Sequence, residues 1–278
     1  MSKEKWQYYN HAVIPTTAPH EVVDTSEIES GEIWKKYPKA LFARWTSDYD
    51  CGHETNWWWE IKDSPFSFDD IKSKRKYIIW NGNKNFIVKK INCYTYKKEL
   101  YNIEKSAYEE WPEKYRPCLL EDDFYRNLYK WNVFTVYGAF DRETNILCGY
   151  ATLIEKNNSY HLTMMRVIHK CEKKNINSAL IYEILKDRES KIIKGYYICD
   201  GERNILHETN FQKYLEKYFC FRKAYCKLNI VYNPKIENLI KFLYHFRNIL
   251  KLLDGIGFIH RINAVLKMEE VSRGKYAL

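Results

Sequence analysis

Alternating apolar and polar positions predict a run of strands in the second half of the chain. The segments NVFTVYGAF, ILCGYATLIEK and YHLTMMRVI follow one another from Asn132, separated by turn-forming residues at 141–145 and 157–159. Period-two segments joined by such short turns form antiparallel hairpins. We therefore predict three consecutive antiparallel strands.

The next segments predict a helix in SALIYEILKDRES and a buried strand in KGYYICDG. A second helix is predicted in HETNFQKYLEKYF and a last strand in RKAYCKLNIVYN. A strand, helix, strand unit closes by a right-handed crossover, so KGYYICDG is expected to lie parallel to the third strand. The tail at 235–270 predicts two amphipathic helices that separate at Asp254–Gly257. Packing on the domain is the favoured role of these helices, and lying on a membrane surface is the alternative.

The N-terminal part has a less regular pattern. KALFARW and the segment at Trp57–Trp59 are strand-like, Ser67–Trp80 predicts a helix, and a turn at Asn81–Asn83 leads to a strand at Phe86–Ile91. Residues 97–130 are mostly helical in pattern, with two proline breaks. Three adjacent tryptophans cannot all face one core, so at least one is expected to line a cleft or cover a surface.

Composition favours a folded cytoplasmic protein. The net charge is +9, but the basic residues are interleaved with 36 acidic ones, which favours a solvated basic surface over a nucleic-acid face. The eight cysteines form no C-x-x-C pair, so we expect free thiols and no metal site. We expect neither a signal peptide nor a transmembrane segment. Peripheral contact with the inner face of the membrane stays open.

The order of elements from 132 to 233 resembles the GNAT class of acyl-CoA-dependent N-acyltransferases. The likeness is greatest to its Fem-like branch and to GNAT-like proteins that accompany bacterial surface-polysaccharide genes. The segments that carry it are VYGAFDRETNILCGYATLIEK, MMRVIHK with KKNINSALI, and TNFQKYLEKYFCFRKAY. The resemblance implies an α/β (α+β) fold with a GNAT-like mixed central sheet flanked by helices. Residues 1–130 would form a diverged region or a degenerate second GNAT-like unit, 131–234 the acyltransferase core, and 235–278 a helical C-terminal tail.

The resemblance also implies where an acyl-CoA would bind. In the family, the main chain of the strand before the loop aligns the pantetheine arm, and N–H groups at the next helix N-terminus hold the pyrophosphate, because they favour anions. Lys173, Asn175 and Asn177 occupy positions that are glycine in the family. Asn tolerates left-handed dihedrals, and lysine adds charge. The implied cofactor-binding residues are Met165, Arg166, Val167, Lys173, Lys174, Asn175, Ile176, Asn177, Ser178 and Asn210.

Candidate catalytic residues lie in ICDGERNILHETN, where the predicted parallel strand ends. Open sheets bind ligands at the carboxyl ends of their strands. His207 or Asp200 is the candidate general base for an amine. The alternative is that Asp200 and Asn210 are turn and helix-cap residues. The family's proton-donating tyrosine falls on Glu216, and we expect Tyr214 and Tyr218 beside it to face elsewhere.

A second polar cluster, DYDCGHETNWW, precedes the tryptophans. Carboxylates beside aromatic rings are typical of sugar-binding sites, and a surface loop is the alternative. The candidate substrate-binding residues are Asp48, His53, Glu54, Trp57 and Arg203.

The resemblance and these residues predict an enzyme that transfers an acyl group from acetyl-CoA or another acyl-CoA, without a metal. The predicted acceptor is an amine of an amino sugar or a related cell-envelope precursor. One alternative is a Fem-like transferase that takes an aminoacyl group from tRNA. The other is a non-catalytic protein of the same fold that binds RNA or a sugar.

Overall fold

The structure is a computed structural model that describes residues 4–111, 113, 116–205, 210–255 and 257–274. Its strands are β1 (Trp6–Tyr9), β2 (Ala12–Pro15), β3 (Phe42–Ser47), β4 (Trp57–Lys62), β5 (Phe86–Ile91), β6 (Phe134–Asp141), β7 (Leu147–Lys156), β8 (Ser159–Val167), β9 (Tyr197–Glu202) and β10 (Arg222–Tyr232). Its helices are α1 (Ser26–Glu29), α2 (Glu32–Lys36), α3 (Ser73–Asn85), α4 (Lys97–Glu109), α5 (Glu121–Asn127), α6 (His169–Glu172), α7 (Ile176–Ile192), α8 (Asn210–Phe219), α9 (Pro234–His245), α10 (Arg247–Leu252) and α11 (Gly257–Ser272).

The chain divides into two compact units, each discontinuous in sequence. The first unit comprises Met1–Glu60, Glu202–Asn210 and Lys223–Leu278, and the second comprises Ile61–Gly201 and Phe211–Arg222. Residue 130, the predicted end of the N-terminal region, lies inside the second unit. The functional boundaries proposed from the sequence stay predictions.

The second unit is built on a mixed sheet with the strand order β9-β8-β7-β6-β5. β5 to β8 are antiparallel neighbours, and β9 lies parallel to β8. The predicted hairpins and the predicted parallel strand are therefore confirmed. β5, formed by the predicted strand at Phe86–Ile91, pairs with β6 and adds a further antiparallel strand to this sheet.

Helices cover both faces of that sheet. On one face α3, α7 and α8 enclose a core, to which α7 contributes Ile176, Leu180 and Ile184 at helical spacing. On the other face α4 supplies Leu100 and Ile103 to a second core. The fold class predicted from the sequence, a GNAT-like mixed sheet flanked by helices, is confirmed.

α3 continues through the residues at 81–83, so the predicted turn there is wrong. A Cβ atom at Gly82 would lie 2.5 Å from the carbonyl oxygen of Asn175 and 3.1 Å from the amide nitrogen of Ala179. The missing side chain therefore lets α3 lie directly against the first turn of α7. Tertiary packing overrides the local turn preference of Asn81, Gly82 and Asn83.

Replacing Gly82 with alanine should destabilise the protein. Alanine gains about 1 kcal/mol in helix propensity over glycine, but the clash with main-chain atoms of α7 costs about 1 to 3 kcal/mol. Gly255→Ala is the control, because a Cβ atom there meets nothing within 4 Å. Chemical denaturation of both variants tests the contact, and a Gly82→Ala protein more stable than the parent would contradict it.

The first unit contains strands in the order β1-β2-β3-β10. β2 and β3 are parallel, and the other neighbouring pairs are antiparallel, with Lys227–Tyr232 of β10 opposite Phe42–Ser47 of β3. The tail forms three helices rather than the predicted two, because α9 ends at His245 and a further break separates it from α10. None of the described helices has the length and apolar composition needed to cross a membrane.

Candidate functional site

The site in the second unit is set by the separation of two parallel strands. β8 and β9 pair over only three positions, the last of which joins His161 to Cys199. β8 nevertheless continues to Val167, still paired with β7 on its other edge. Among the described residues, the edge of Leu162–Val167 that faces β9 therefore has no strand partner. We call this gap the β8–β9 opening.

A β-bulge explains why the strands separate. The register between β7 and β8 shifts between Thr152 and Leu153, which leaves Thr163 as an extra residue in β8. The hydroxyl groups of Thr152 and Thr163 share a hydrogen bond of 2.7 Å at this point. A bulge bends its strand and increases the local twist. The extra residue, Thr163, follows closely after His161, the last β8 residue that pairs with β9.

Met165–Val167 are expected to align a donor. Their main chain lies along the β8–β9 opening. Met165 and Val167 direct their side chains into the core beneath α7. Arg166 points to the opposite face of the sheet, as strand alternation requires. Its guanidinium also donates a hydrogen bond of 3.0 Å to the carbonyl oxygen of Met165, which occupies one acceptor position on that strand.

The Arg166 side chain belongs to a buried ionic cluster on α4. Its Nε donates to the carboxylate of Glu104 at 3.3 Å, and the buried hydroxyl of Tyr150 donates to the same carboxylate. Burial, and then the charge of Glu104, raises the pKa of Tyr150 well above its ordinary value. Arg166 therefore joins α4 to the sheet, and only its main chain remains available to a donor.

The N-terminus of α7 offers free main-chain donors. Asn175, which precedes the helix, adopts left-handed dihedrals of φ 62° and ψ 40°. Its carbonyl accepts from the amides of Ser178 and Ala179 at 3.1 and 3.3 Å, while the amides of Ile176 and Asn177 have no main-chain acceptor among the described residues. Unpaired N–H groups at the positive end of a helix favour a phosphate.

The side chains around this helix start have distinct roles. Ile176 is buried in the core, so only its amide is available. The Asn177 side-chain oxygen is buried without a hydrogen-bond donor among the described residues. Lys174 donates to Asp141 at 2.9 Å, which engages its charge, and Lys173 is exposed. Of these two lysines, Lys173 is therefore the one whose charge is available to an anion.

Asp200 lies where β8 and β9 separate, immediately after the last paired residue of β9. Strand alternation places its side chain on the same face as buried Ile198, toward α8. Burial raises the pKa of the Asp200 carboxyl from 3.8 to about 7, and a hydrogen bond with Gln212 of α8 opposes this shift only partly. A carboxyl with such a pKa can accept and release a proton near neutral pH.

Tyr214 faces the start of α7, and the expectation that it points elsewhere is wrong. Its hydroxyl shares a hydrogen bond of 2.6 Å with the hydroxyl of Ser178. Burial raises the pKa of Tyr214 well above its ordinary value, so the phenol keeps its proton at neutral pH. Its core-facing position between Phe211 and Tyr218 on α8 was the signal that could have identified it.

Two further predicted catalytic residues, Glu216 and His207, and the predicted cofactor-binding residue Asn210 lie on or before α8. Glu216 is half-buried on α8, two positions after Tyr214 and therefore on a different side of the helix. Asn210 is the first residue of α8. His207 lies outside the described residues. No group of three His, Cys, Asp or Glu side chains in the described ranges is arranged to hold a metal ion.

The candidate sugar-binding residues belong to the first unit. Trp57 is fully buried, and its indole N–H donates to Glu202 at 3.0 Å. Arg203 donates to the carbonyl of Asn56, and its guanidinium lies 4.8 Å from the ring centre of Trp58. Trp58 is half-buried and carries this guanidinium over its ring. The other three candidate sugar-binding residues, Asp48, His53 and Glu54, lie in the β3–β4 connection. Asp48 has a positive φ of 53°, and the side chains of His53 and Glu54 are exposed.

No protein-family model and no curated protein matches the sequence. Solved structures do match. L-PGS from Bacillus licheniformis aligns with a TM-score of 0.52 and 11% identity over 96% of this chain and 85% of that chain. The C-terminal domain of a putative lysylphosphatidylglycerol synthetase from Agrobacterium fabrum aligns with a TM-score of 0.51 and 10% identity over 85% and 82%.

A conserved protein of unknown function from Bacteroides thetaiotaomicron also aligns, with a TM-score of 0.51 and 10% identity over 79% of this chain and 78% of that chain. The chain shares the fold of these structures. Identities this low establish the fold alone. The resemblance to the Fem-like branch and to polysaccharide-associated proteins stays a prediction.

Proposed function

We propose that the chain is an acyltransferase in which the β8–β9 opening receives the acyl donor and Asp200 is the general base. The observation that carries this proposal is the position of the half-buried Asp200 carboxyl, with a pKa of about 7, at the point where the strands separate. A base is most effective when its pKa lies near the working pH. An ordinary aspartate would be too weak a base to deprotonate an ammonium acceptor.

The geometry supports direct transfer to an amine. The acceptor nitrogen would form a bond to the acyl carbon while its proton passes to Asp200. The bond between that carbon and the leaving atom then breaks, and the Tyr214 hydroxyl would donate a proton to the departing group. The main chain of Met165–Val167 would orient the donor, since edge groups of β8 remain unpaired there among the described residues.

An acyl-CoA is the first donor that we propose. The free amides of Ile176 and Asn177, together with the charge of Lys173, would hold its pyrophosphate. An amino sugar or a related envelope precursor remains the proposed acceptor. The nearby left-handed Asn175 lets the chain turn into the helix without a glycine.

An aminoacyl-tRNA is the second donor that we propose, since the Fem-like branch that the sequence resembles takes its aminoacyl group from tRNA. The likeness to the lysylphosphatidylglycerol synthetase domain covers 85% of this chain, well beyond the second unit. Calorimetry separates the two donors: acetyl-CoA binding supports the first, and tRNA binding that weakens with salt, without CoA binding, supports the second. Binding of neither would contradict the proposed transferase.

Asn177→Pro should weaken binding of acyl-CoA about tenfold. Proline removes one of the two free amides but is tolerated in the first turn of a helix, where the N–H has no intrahelical acceptor. A tenfold loss corresponds to about 1.4 kcal/mol, as expected for one hydrogen bond to a charged group. Asn177→Ala is the matched control, because it removes the side chain and keeps the amide. Equal affinity for both variants would contradict a phosphate site at α7.

A further inference from the structure

The C-terminal helices carry two apolar surfaces. One surface of α9 and α10 packs into the first unit through Ile240, Leu243, Tyr244 and Leu250, around Tyr232 of β10. This surface accounts for the fold of the tail. A second set of large apolar side chains on the same helices is exposed, and it comprises Leu239, Phe242, Phe246, Ile249, Leu252 and Leu253.

The second set continues to the end of a helical hairpin. Asn263 of α11 donates to the carbonyl of Leu250 in α10, and to Asp254 in the connection, so the two helices are held together. At the tip of this hairpin Leu252 is 84% exposed and Phe258 is 73% exposed. Leu239, Phe242, Phe246, Ile249 and Leu253 recur every three or four residues, and an exposed apolar surface of this kind marks a contact with a partner or a lipid.

The charges around the exposed set are predominantly positive. Residues 235–273 contain seven Lys or Arg and four Asp or Glu, a net charge of +3. Each acidic residue already has a basic partner: Glu237 with Lys241, Asp254 with His260, Glu269 with Arg273, and Glu270 with Arg247 and Lys251. Within the described ranges, Lys235, Arg261 and Lys267 have no carboxylate partner.

We propose that this surface, formed by α9, α10 and the α10–α11 tip, docks on an anionic lipid membrane. Protruding leucine and phenylalanine side chains enter the interface between lipid headgroups and acyl chains, and the unpaired cations contact the acidic headgroups. A second copy of the chain would meet the same unpaired positive charges, which disfavours self-association through this surface. The proposal does not depend on the acyl transfer proposed above.

Sedimentation of the full chain with lipid vesicles tests the proposal. Vesicles of phosphatidylcholine with phosphatidylglycerol should bind it, and raised salt should weaken the binding. The double variant Leu252→Ser with Phe258→Ser should bind these vesicles about tenfold or more weakly, because each substitution removes an apolar side chain that would be buried in the lipid interface. Arg261→Gln with Lys235→Gln should remove the preference for phosphatidylglycerol over pure phosphatidylcholine.

Ile193→Ser is the matched control, since Ile193 is 68% exposed and lies in the second unit. It should bind vesicles like the parent. Thermal unfolding checks that the serine variants fold, as their exposed positions lead us to expect. Vesicle binding by the serine pair that equals that of the parent would overturn the proposal. A second result would also overturn the proposal. In it, the parent self-associates in the ultracentrifuge but does not bind vesicles, and the serine pair abolishes the self-association.

Discussion

Asp200→Asn is expected to reduce turnover by a factor of about 100 to 10,000 and, at the same time, to stabilise the folded chain above pH 7. Asparagine cannot accept the proton of the acceptor, and loss of a general base has effects of about this size. Donor binding should change little, because Asp200 is assigned no contact with the donor. The parent enzyme's kcat/KM should rise with pH through about 7, and the residual activity of the variant should lack that step.

The stability effect follows from the direction of the pKa shift. Below about pH 4 the Asp200 carboxyl is protonated in both the folded and the unfolded chain, so its ionisation does not change the free energy of unfolding there. Between its ordinary value of 3.8 and the folded value of about 7, the unfolded chain releases the proton while the folded chain keeps it. The free energy of unfolding therefore falls as pH rises, by up to about 4 kcal/mol. The Asp200→Asn variant has no such loss, because an amide does not titrate in this range.

Denaturant unfolding at pH 5 and pH 8 measures this difference. Asp187→Asn is the matched control, because hydrogen bonds from Lys90 and Tyr137 outweigh burial and lower the pKa of that carboxyl. Its stabilising contribution is present at neutral pH, so its loss should destabilise the protein there. If Asp200→Asn keeps the parent rate, Asp200 is not the base. If the variant is no more stable than the parent at pH 8, desolvation does not destabilise the charged Asp200 carboxyl in the folded chain.

Glu104→Ala is expected to destabilise the second unit by about 3 to 5 kcal/mol. The substitution leaves the half-buried guanidinium of Arg166 without its counter-charge and the buried hydroxyl of Tyr150 without its acceptor. Removing one partner of a buried pair costs this much because the other charge stays desolvated. Chemical denaturation at neutral pH measures the effect.

Two controls separate the buried cluster from a general effect of charge loss. Glu104→Gln keeps an oxygen acceptor for Tyr150 and should cost less than Glu104→Ala. Glu237→Ala breaks the more exposed pair with Lys241 and should change stability by about 0.5 kcal/mol or less. A Glu104→Ala effect as small as that of Glu237→Ala would mean that Arg166 is well solvated.

The fold of the second unit was largely predictable because neighbouring strands of its sheet, β5 to β9, follow one another along the chain. The alternation in β6, β7 and β8, and the helical spacing in α7, report the buried faces directly. Gly82 misled the prediction because its turn-type neighbours carry no information about Asn175, which packs on it from far along the chain. The pairing of β10 with β3 was missed for the same reason, since no local pattern specifies so distant a partner.

The candidate site was predictable only where strand ends and helix starts determine it. Asp200 and the start of α7 follow from the order of the elements. The hydrogen bond of Tyr214 with Ser178 and the pairing of Arg166 with Glu104 depend on how helices pack on the sheet. Burial of Trp57 against Glu202 likewise joins residues 145 positions apart.

Amide hydrogen exchange, followed residue by residue with and without donor, tests the central claim most directly. In the free protein, amides of Leu162–Val167 that face the β8–β9 opening, and those of Ile176 and Asn177, should exchange rapidly because they lack acceptors. Acetyl-CoA, or an aminoacyl-tRNA analogue if CoA does not bind, should slow their exchange. Slow exchange of these amides in the free protein, or protection by the donor only at other residues, would contradict the account.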